Sequence, residues 1–206
     1  MLSNLIAGED GLMALEERYN QLSHQISTCQ KCDLFKTRTL PMIGDGNLKT
    51  KIMMIGEAPG YHEDKTGKAF VGKSGEILDQ LLNDVGLSRN QIYITNVLKC
   101  RPPHNSNPRE DQIEACVPYL YEQIKLIQPS LMITLGKFAS MVLFQKVKVP
   151  FSKITDMHGK IFEFKASYGQ VKIASLYHPS VACYNPNMLG VLKEDFQNTL
   201  GILLKK

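Results

Sequence analysis

Residues 51–74 read KIMMIGEAPGYHEDKTGKAFVGKS. Two readings of this stretch lead to two different folds. Its last eight residues, GKAFVGKS (67–74), spell G-x-x-x-x-G-K-[ST], the pattern of a phosphate-binding P-loop. Such a loop joins a strand directly to a helix, so that its backbone N–H groups wrap phosphate. Here the apolar run KIMMIG (51–56) is closed by Gly and Pro and reads as a buried strand, but it ends at Gly56, well short of Gly67. Phe70 and Val71 put bulk where the backbone would have to curl. A second strand ending in a Mg²⁺-holding Asp is also missing, since the later apolar runs close on Asn96, Gly136 and His178. The P-loop match reads as a coincidence, and a P-loop NTPase is kept only as an alternative.

On either side of that strand, strands and helices alternate. Residues 10–28 carry Leu12, Leu15, Tyr19, Leu22 and Ile26 at helical spacing. Residues 74–86 place Ile77, Leu78, Leu81, Leu82 and Val85 on one face, with Gly86 as a stop. QIYITNV (91–97) and SLMITLG (130–136) read as further strands. Between them, residues 109–127 read as a helix kinked at Pro118. A short helix over 137–145, strands KIFEF (160–164) and VKIASLYH (171–178) joined by a turn at 167–170, and a final helix over 189–204 complete the pattern. This order predicts an α/β fold, a three-layer αβα sandwich around a mostly parallel sheet. One domain covers residues 1–206, with 1–28 a helical lead-in. Ligands of such sheets gather beyond the carboxyl ends of the strands, where GEAPG, the segment from Asn96 to Pro103, and HPS all fall.

With 206 residues, 43% of them hydrophobic, the chain can bury one sizeable core. No apolar run is long enough to span a bilayer, and the acidic first twenty residues do not read as a secretory signal, so no membrane partner and a cytoplasmic location are expected. The net charge of +4 permits nucleic-acid contact without demonstrating it. In a reducing compartment, five cysteines point to metal or to burial instead of disulfides. Cys29 and Cys32 form a C-x-x-C pair, while Cys100 and Cys116 are too far apart to form a second one. Zinc ribbons prefer two close pairs; four scattered thiolates suit an iron–sulfur cluster at least as well. Cys183 has no obvious partner and is expected to be a buried thiol.

Taken together, GEAPGYHEDKTGKAFVGKSGEIL (56–78), YITNVLKCRPPHN (93–105) and HPS with NP (178–180, 185–186) resemble the family 4 uracil-DNA glycosylases, the iron–sulfur type. The spacing of Cys29, Cys32, Cys100 and Cys116 is that family's cysteine pattern. The resemblance implies a 4Fe-4S cluster held by those four thiolates, uracil-containing DNA as partner, a monomer, and hydrolysis of the N-glycosidic bond to leave an abasic site.

It also implies roles for single residues. A base inside a duplex is out of reach, so it is flipped into a pocket. Phe70 is the implied stacking platform. Asn96 is the implied reader: its amide C=O meets uracil N3–H and its NH₂ meets O4, a pairing that cytosine reverses. Glu63 is the implied wall near C5 that rejects thymine. His178 is the implied donor to O2 as negative charge grows on the base. Ala58 stands where better-known uracil glycosylases carry an Asp, which leaves neighbouring Glu57 as the candidate catalytic carboxylate. Pro59 and Gly60 complete the substrate-binding segment, Gly60 by allowing close backbone approach. Lys65, Lys68, Lys73, Lys99, Arg101 and Arg109 cluster in the same segments as candidate phosphate contacts.

Four positions depart from the family pattern: Ala69 before the platform Phe, Ser106 in the loop after Cys100, and Cys183 and Tyr184 after HPS. Tyr184 is aromatic and suited to fill the gap left by a flipped base. No basic insertion of the kind that bonds covalently to DNA lies between Asn105 and Pro108. The competing class is a relative that binds uracil or damaged DNA without turnover.

Overall fold

The computed structural model describes residues 9–201. Six strands form one sheet: β1 (Asp45–Gly46), β2 (Ile52–Gly56), β3 (Tyr93–Asn96), β4 (Leu131–Leu135), β5 (Lys160–Ala166) and β6 (Gly169–Leu176). Their order across the sheet is β1-β3-β2-β4-β6-β5. The central strands β3, β2, β4 and β6 run parallel, and the two edge strands are antiparallel to their neighbours. The expected sandwich with a mostly parallel sheet is observed. Because β3 lies on one side of β2 and β4 on the other, the chain reverses direction across the sheet at β2, and that reversal opens a crevice at the carboxyl ends.

Helices α1 (Glu9–Ser27), α2 (Tyr61–Thr66), α3 (Lys73–Asp84), α4 (Glu110–Ile127), α5 (Lys137–Lys146), α6 (Ile154–Met157), α7 (Val181–Tyr184) and α8 (Met188–Phe196) surround the sheet. Alternation along the strands decides the layers. Met54 of β2, Ile94 and Ile133 pack with Leu78, Leu81 and Leu82 of α3 and with Leu192 and Phe196 of α8. Met53 and Ile55 of β2, Tyr93 and Met132 face the other way, onto Leu120 of α4 and Val142, Leu143 and Phe144 of α5. A smaller third cluster joins Leu22 and Ile26 of α1 to Leu34, Leu98, Cys100, Cys116 and Tyr119.

The differences from the sequence reading are local. Helix α4 continues through Pro118 as a single element. The expected final helix over 189–204 is observed as α8 followed by a π-helical turn over Gln197–Gly201, and the short α7 before it was not expected; the last expected residues, 202–204, and the start of the lead-in, 1–8, lie outside the described residues. Helix α2 was not expected. Its signals are modest: two acids, Glu63 and Asp64, in the first turn, and Gly67 closing it with a left-handed φ of 70°. Among the described residues, no helix is long and apolar enough to cross a membrane.

Candidate active site

Strand β2 ends at Gly56, and a side chain there has no room. A Cβ would collide with Asn96 Oδ1 and lie 3.0 Å from Phe70 Cζ. Three segments remote in sequence therefore converge on one point at the carboxyl end of the sheet. Sequence reasoning placed Phe70 and Asn96 in the site but missed Gly56. Only the approach of two other segments explains why it must be glycine.

Asn96 closes β3 and is 2% exposed. Its Oδ1 is buried and, among the described residues, no protein group hydrogen-bonds to it. An unpaired buried acceptor costs roughly 1–3 kcal/mol, so its presence points to a donor that arrives from outside. Phe70 is also buried and holds a left-handed φ of 51°. For a bulky residue that backbone is strained. Its ring stacks on His178, with centroids 5.4 Å apart and an angle of 27°.

His178 follows β6 on the HPS segment. Its Nδ1 accepts the backbone N–H of Ser180 at 3.2 Å and lies 2.8 Å from Ser180 Oγ. An accepting Nδ1 leaves the proton of the neutral ring on Nε2, so the free nitrogen is a donor. Burial pushes the imidazole down to about 4, with the nearby Glu63 charge opposing, so the ring is neutral at pH 7. Gly136, at φ 90°, makes room for it: a Cβ there would sit 3.1 Å from that of His178.

Glu63 lies on the unexpected α2 and is buried. Its Oε1 accepts the N–H groups of Val71 at 2.9 Å and Gly72 at 3.1 Å. These are the amides a P-loop would offer to phosphate. They are already bonded to a carboxylate, and α2 separates the motif from β2, so the loop is not a phosphate cradle. Gly60 also acquires a local reason, because a Cβ on it would lie 2.7 Å from Glu63 Oε2. Ala58 is half-buried and Pro59 buried beside it. Glu57 is half-buried, and desolvation raises its pKa, with Lys137 opposing.

The four predicted thiols come together. Cys29, Cys32, Cys100 and Cys116 line one pocket with Ile26, Arg38 and Tyr119. Backbone and guanidinium donors point at the sulfurs: Arg38 Nη1 to Cys100 at 3.0 Å, Lys99 N–H to Cys116 at 3.2 Å and Lys31 N–H to Cys29 at 3.5 Å. Burial raises the thiol pKa of Cys32 and Cys100 and pushes that of Cys116 to about 12. Among the described residues, no three His, Cys, Asp or Glu side chains come close enough to hold a single metal ion. The four thiols nevertheless share the lining of that one pocket. Cys183, expected to be buried, is half-buried on α7.

The proposed phosphate contacts divide. Lys65, Lys68 and Lys73 are exposed. Arg101 lies over the Tyr61 ring, 5.3 Å from its centroid. Arg109 is exposed but committed to Asp33 and Asp111 at 3.0 and 2.9 Å. Lys99 cannot face DNA. It is 1% exposed, and its Nζ donates to Thr95 Oγ1 at 2.6 Å and to Asn96 O and Gln123 Oε1 at 2.7 Å each. Its position between Asn96 and Cys100 requires it to turn inward, something charge counting cannot reveal. Tyr184, by contrast, is 88% exposed on α7, beyond His178.

Comparison with known proteins agrees with this geometry. A family profile described as "Uracil DNA glycosylase superfamily" matches residues 43–201. The chain is 43% identical over 178 residues to a type-4 uracil-DNA glycosylase of Sulfurisphaera tokodaii, covering 86% of this chain and 81% of that relative. It is 43% identical over 186 residues to one of Saccharolobus solfataricus, covering 90% and 86%. It is 35% identical over 193 residues to one of Thermotoga maritima, covering 93% and 97%. On the convergence of Gly56, Phe70, Asn96 and His178 at one end of the sheet, and on these matches along most of its length, the chain belongs to the uracil DNA glycosylase superfamily, in its type-4 family.

Proposed function

We propose that this protein is a monofunctional uracil-DNA glycosylase, which flips uracil out of DNA and hydrolyses its N-glycosidic bond to leave an abasic site. The observation that carries the reading is the buried, unpartnered Oδ1 of Asn96 beside the Phe70 ring. Uracil N3–H supplies the missing donor, and the amide NH₂ meets O4. Cytosine presents an acceptor at N3 and a donor at N4, so both contacts would become repulsive. Phe70 stacks on the flipped base and, with Asn96, holds it for reaction.

Bond cleavage leaves positive charge on the sugar and negative charge on uracil. His178 donates Nε2–H to O2 as that charge develops, and because it is already oriented by Ser180 it needs no reorganisation. Its neutrality suits the task, since a neutral donor stabilises the anion without fully transferring its proton. Glu63 braces the platform loop and stands as the wall against a C5 methyl. Ala58 supplies no base, so Glu57, with its raised pKa, takes the proton of the water that attacks the sugar. Pro59 and Gly60 line the same segment. The partner is uracil-containing DNA, approached by Lys65, Lys68, Lys73 and Arg101, and the working form is a cytoplasmic monomer.

The test is an oligonucleotide with a single uracil, incubated with the protein and then with alkali. Strand cleavage at uracil, and none at cytosine or thymine, is the expected result. Tight binding without cleavage would instead favour the non-turnover relative.

Cys29, Cys32, Cys100 and Cys116 are assigned to a 4Fe-4S cluster. The fit rests on four thiols around one space and on N–H donors aimed at three of the sulfurs. When bound, the group would supply a covalent tie between the segment after α1, helix α4 and the chain after β3; the hydrolysis requires no electron transfer. Protein purified without oxygen should be brown and hold about four irons per chain. A colourless protein with one zinc would overturn the assignment.

A further inference from the structure

We propose that Arg89 is a positioning residue that holds the Phe70 platform in its strained conformation; this rests on the reading of Phe70 as the base-stacking side chain. Arg89 opens a single 3₁₀ turn, Arg89–Gln91, just before β3. Its guanidinium reaches back to the loop before α3. Nη1 donates to Ala69 O at 2.7 Å and Nη2 to Phe70 O at 2.5 Å. Nε donates to Asp79 Oδ1 on α3, also at 2.5 Å. One planar group therefore ties the platform loop to the following helix and to the approach to β3. The geometry uses the fixed fork of arginine, which lysine cannot reproduce.

The loop needs such a tie. Phe70 at φ 51° sits in a region that costs a non-glycine residue of order 1 kcal/mol or more, and it persists only if its surroundings hold it there. Three devices do so from different sides. Glu63 accepts the N–H groups of residues 71 and 72. Arg89 donates to the carbonyls of residues 69 and 70. Gly75 leaves room, since a Cβ on it would overlap the Phe70 carbonyl. An anion thus holds the amides and a cation the carbonyls of four consecutive residues. Glu63 carries a role of its own in the pocket, whereas Arg89 touches neither base nor sugar and acts only through the loop. Without it, both carbonyls lose their charged donors, the backbone of Phe70 relaxes, and the ring leaves its place against Gly56 and His178.

The test uses Arg89→Met, which keeps an apolar stem, and Arg89→Lys, which keeps the charge without the fork. Single-turnover uracil excision should slow about 10- to 100-fold in Arg89→Met, as expected for misplacement of a positioning group, with Arg89→Lys restoring only part. KM for the DNA should stay within about twofold, because phosphate contacts lie elsewhere. On a Phe70→Leu background the added loss from Arg89→Met should shrink to under about threefold, since the group it acts through is gone. A merely stabilising arginine would cost the same on both backgrounds, and that result overturns the proposal.

A second readout needs no activity. With the eight phenylalanines replaced by 4-fluorophenylalanine, the ¹⁹F resonance missing in Phe70→Leu identifies the platform. It should shift or broaden in Arg89→Met while the others hold. An unmoved Phe70 resonance overturns the proposal. Should Arg89→Met not fold, Asp79→Asn loosens the guanidinium without removing it, and the same resonance must move, to a smaller extent. If the unmodified protein fails to excise uracil, the proposed function falls while the resonance still reports on Arg89.

Discussion

Asn96→Ala should lower kcat/KM on uracil-containing DNA about a thousandfold while leaving the folded protein no less stable. The activity loss follows from what the side chain is for. On the proposed role, two hydrogen bonds to a flipped base in a desolvated pocket are removed; discrimination built on such bonds reaches roughly 10⁴–10⁵, and stacking on Phe70 retains part of it. The expected thousandfold loss corresponds to about 4 kcal/mol of transition-state stabilisation. The stability expectation runs the opposite way to the usual one for a buried polar residue. Asn96 Oδ1 bonds to no other protein group among the described residues, so its removal breaks no hydrogen bond within the fold and lifts part of the cost of burying the amide. The cavity left beside Gly56 is small and offsets part of that gain. Thermal unfolding should give an unchanged or slightly higher Tm alongside excision kinetics. A clear fall in Tm would mean that the amide is bonded within the fold, and the reading of Oδ1 as a waiting acceptor would be wrong.

His178→Gln should slow kcat about 100- to 1000-fold, the range seen when one donor to a developing oxyanion is lost. Ground-state binding of uracil DNA should change far less, because the interaction strengthens only as charge builds on O2. The pH dependence has a definite sign. Folding holds the His178 pKa near 4, below the ordinary value of about 6.5. Above pH 6.5 the ring is neutral in both folded and unfolded chains and contributes no linkage. Between 6.5 and 4 the unfolded chain takes up a proton that the folded one refuses, so stability falls across that window, by on the order of 3 kcal/mol. His178→Gln should lack this component, and denaturant titrations at pH 7 and pH 4.5 measure it. An imidazolium donor would instead make excision by the unmodified protein drop as pH rises through 6.5. A flat profile there supports the neutral ring.

Why these residues were legible before the structure, and others not, has a physical basis. Asn96, Phe70, His178 and the four cysteines were singled out because they sit in the long ordered motifs and the cysteine spacing that carry the family resemblance. The strands were legible because burial on both faces leaves near-continuous apolar runs such as KIMMIG and SLMITLG. Helix α3 was legible from its one-sided periodicity. Helix α2 was not. Six residues, YHEDKT, cannot show helical periodicity, and the two that turn inward are both acids. The inward turn of Lys99 was misread because a lysine beside Arg101 reads as surface charge. Its burial depends on acceptors from Thr95, Asn96 and Gln123 that meet only after α4 packs on the sheet.

The sequence alone was enough for the layer architecture, and its family resemblance singled out the four cysteines that share one pocket and Asn96, Phe70 and His178 as the proposed base-binding residues. Both follow from local pattern, hydrophobic period for the first and ordered motifs for the second. How those groups are held follows only from the packed fold. Only there do Gly56 and Gly75 become steric necessities, Glu63 and Arg89 close on opposite sides of the Phe70 loop, and Ser180 fix which nitrogen of His178 carries the proton. Most of these contacts cross between elements that share no local pattern, and their direction and distance arise when the strands are ordered in the sheet. The eight residues GKAFVGKS show the difference. Their spacing advertised a phosphate site, and the chain around them turned their amides to a carboxylate and their phenylalanine to the pocket.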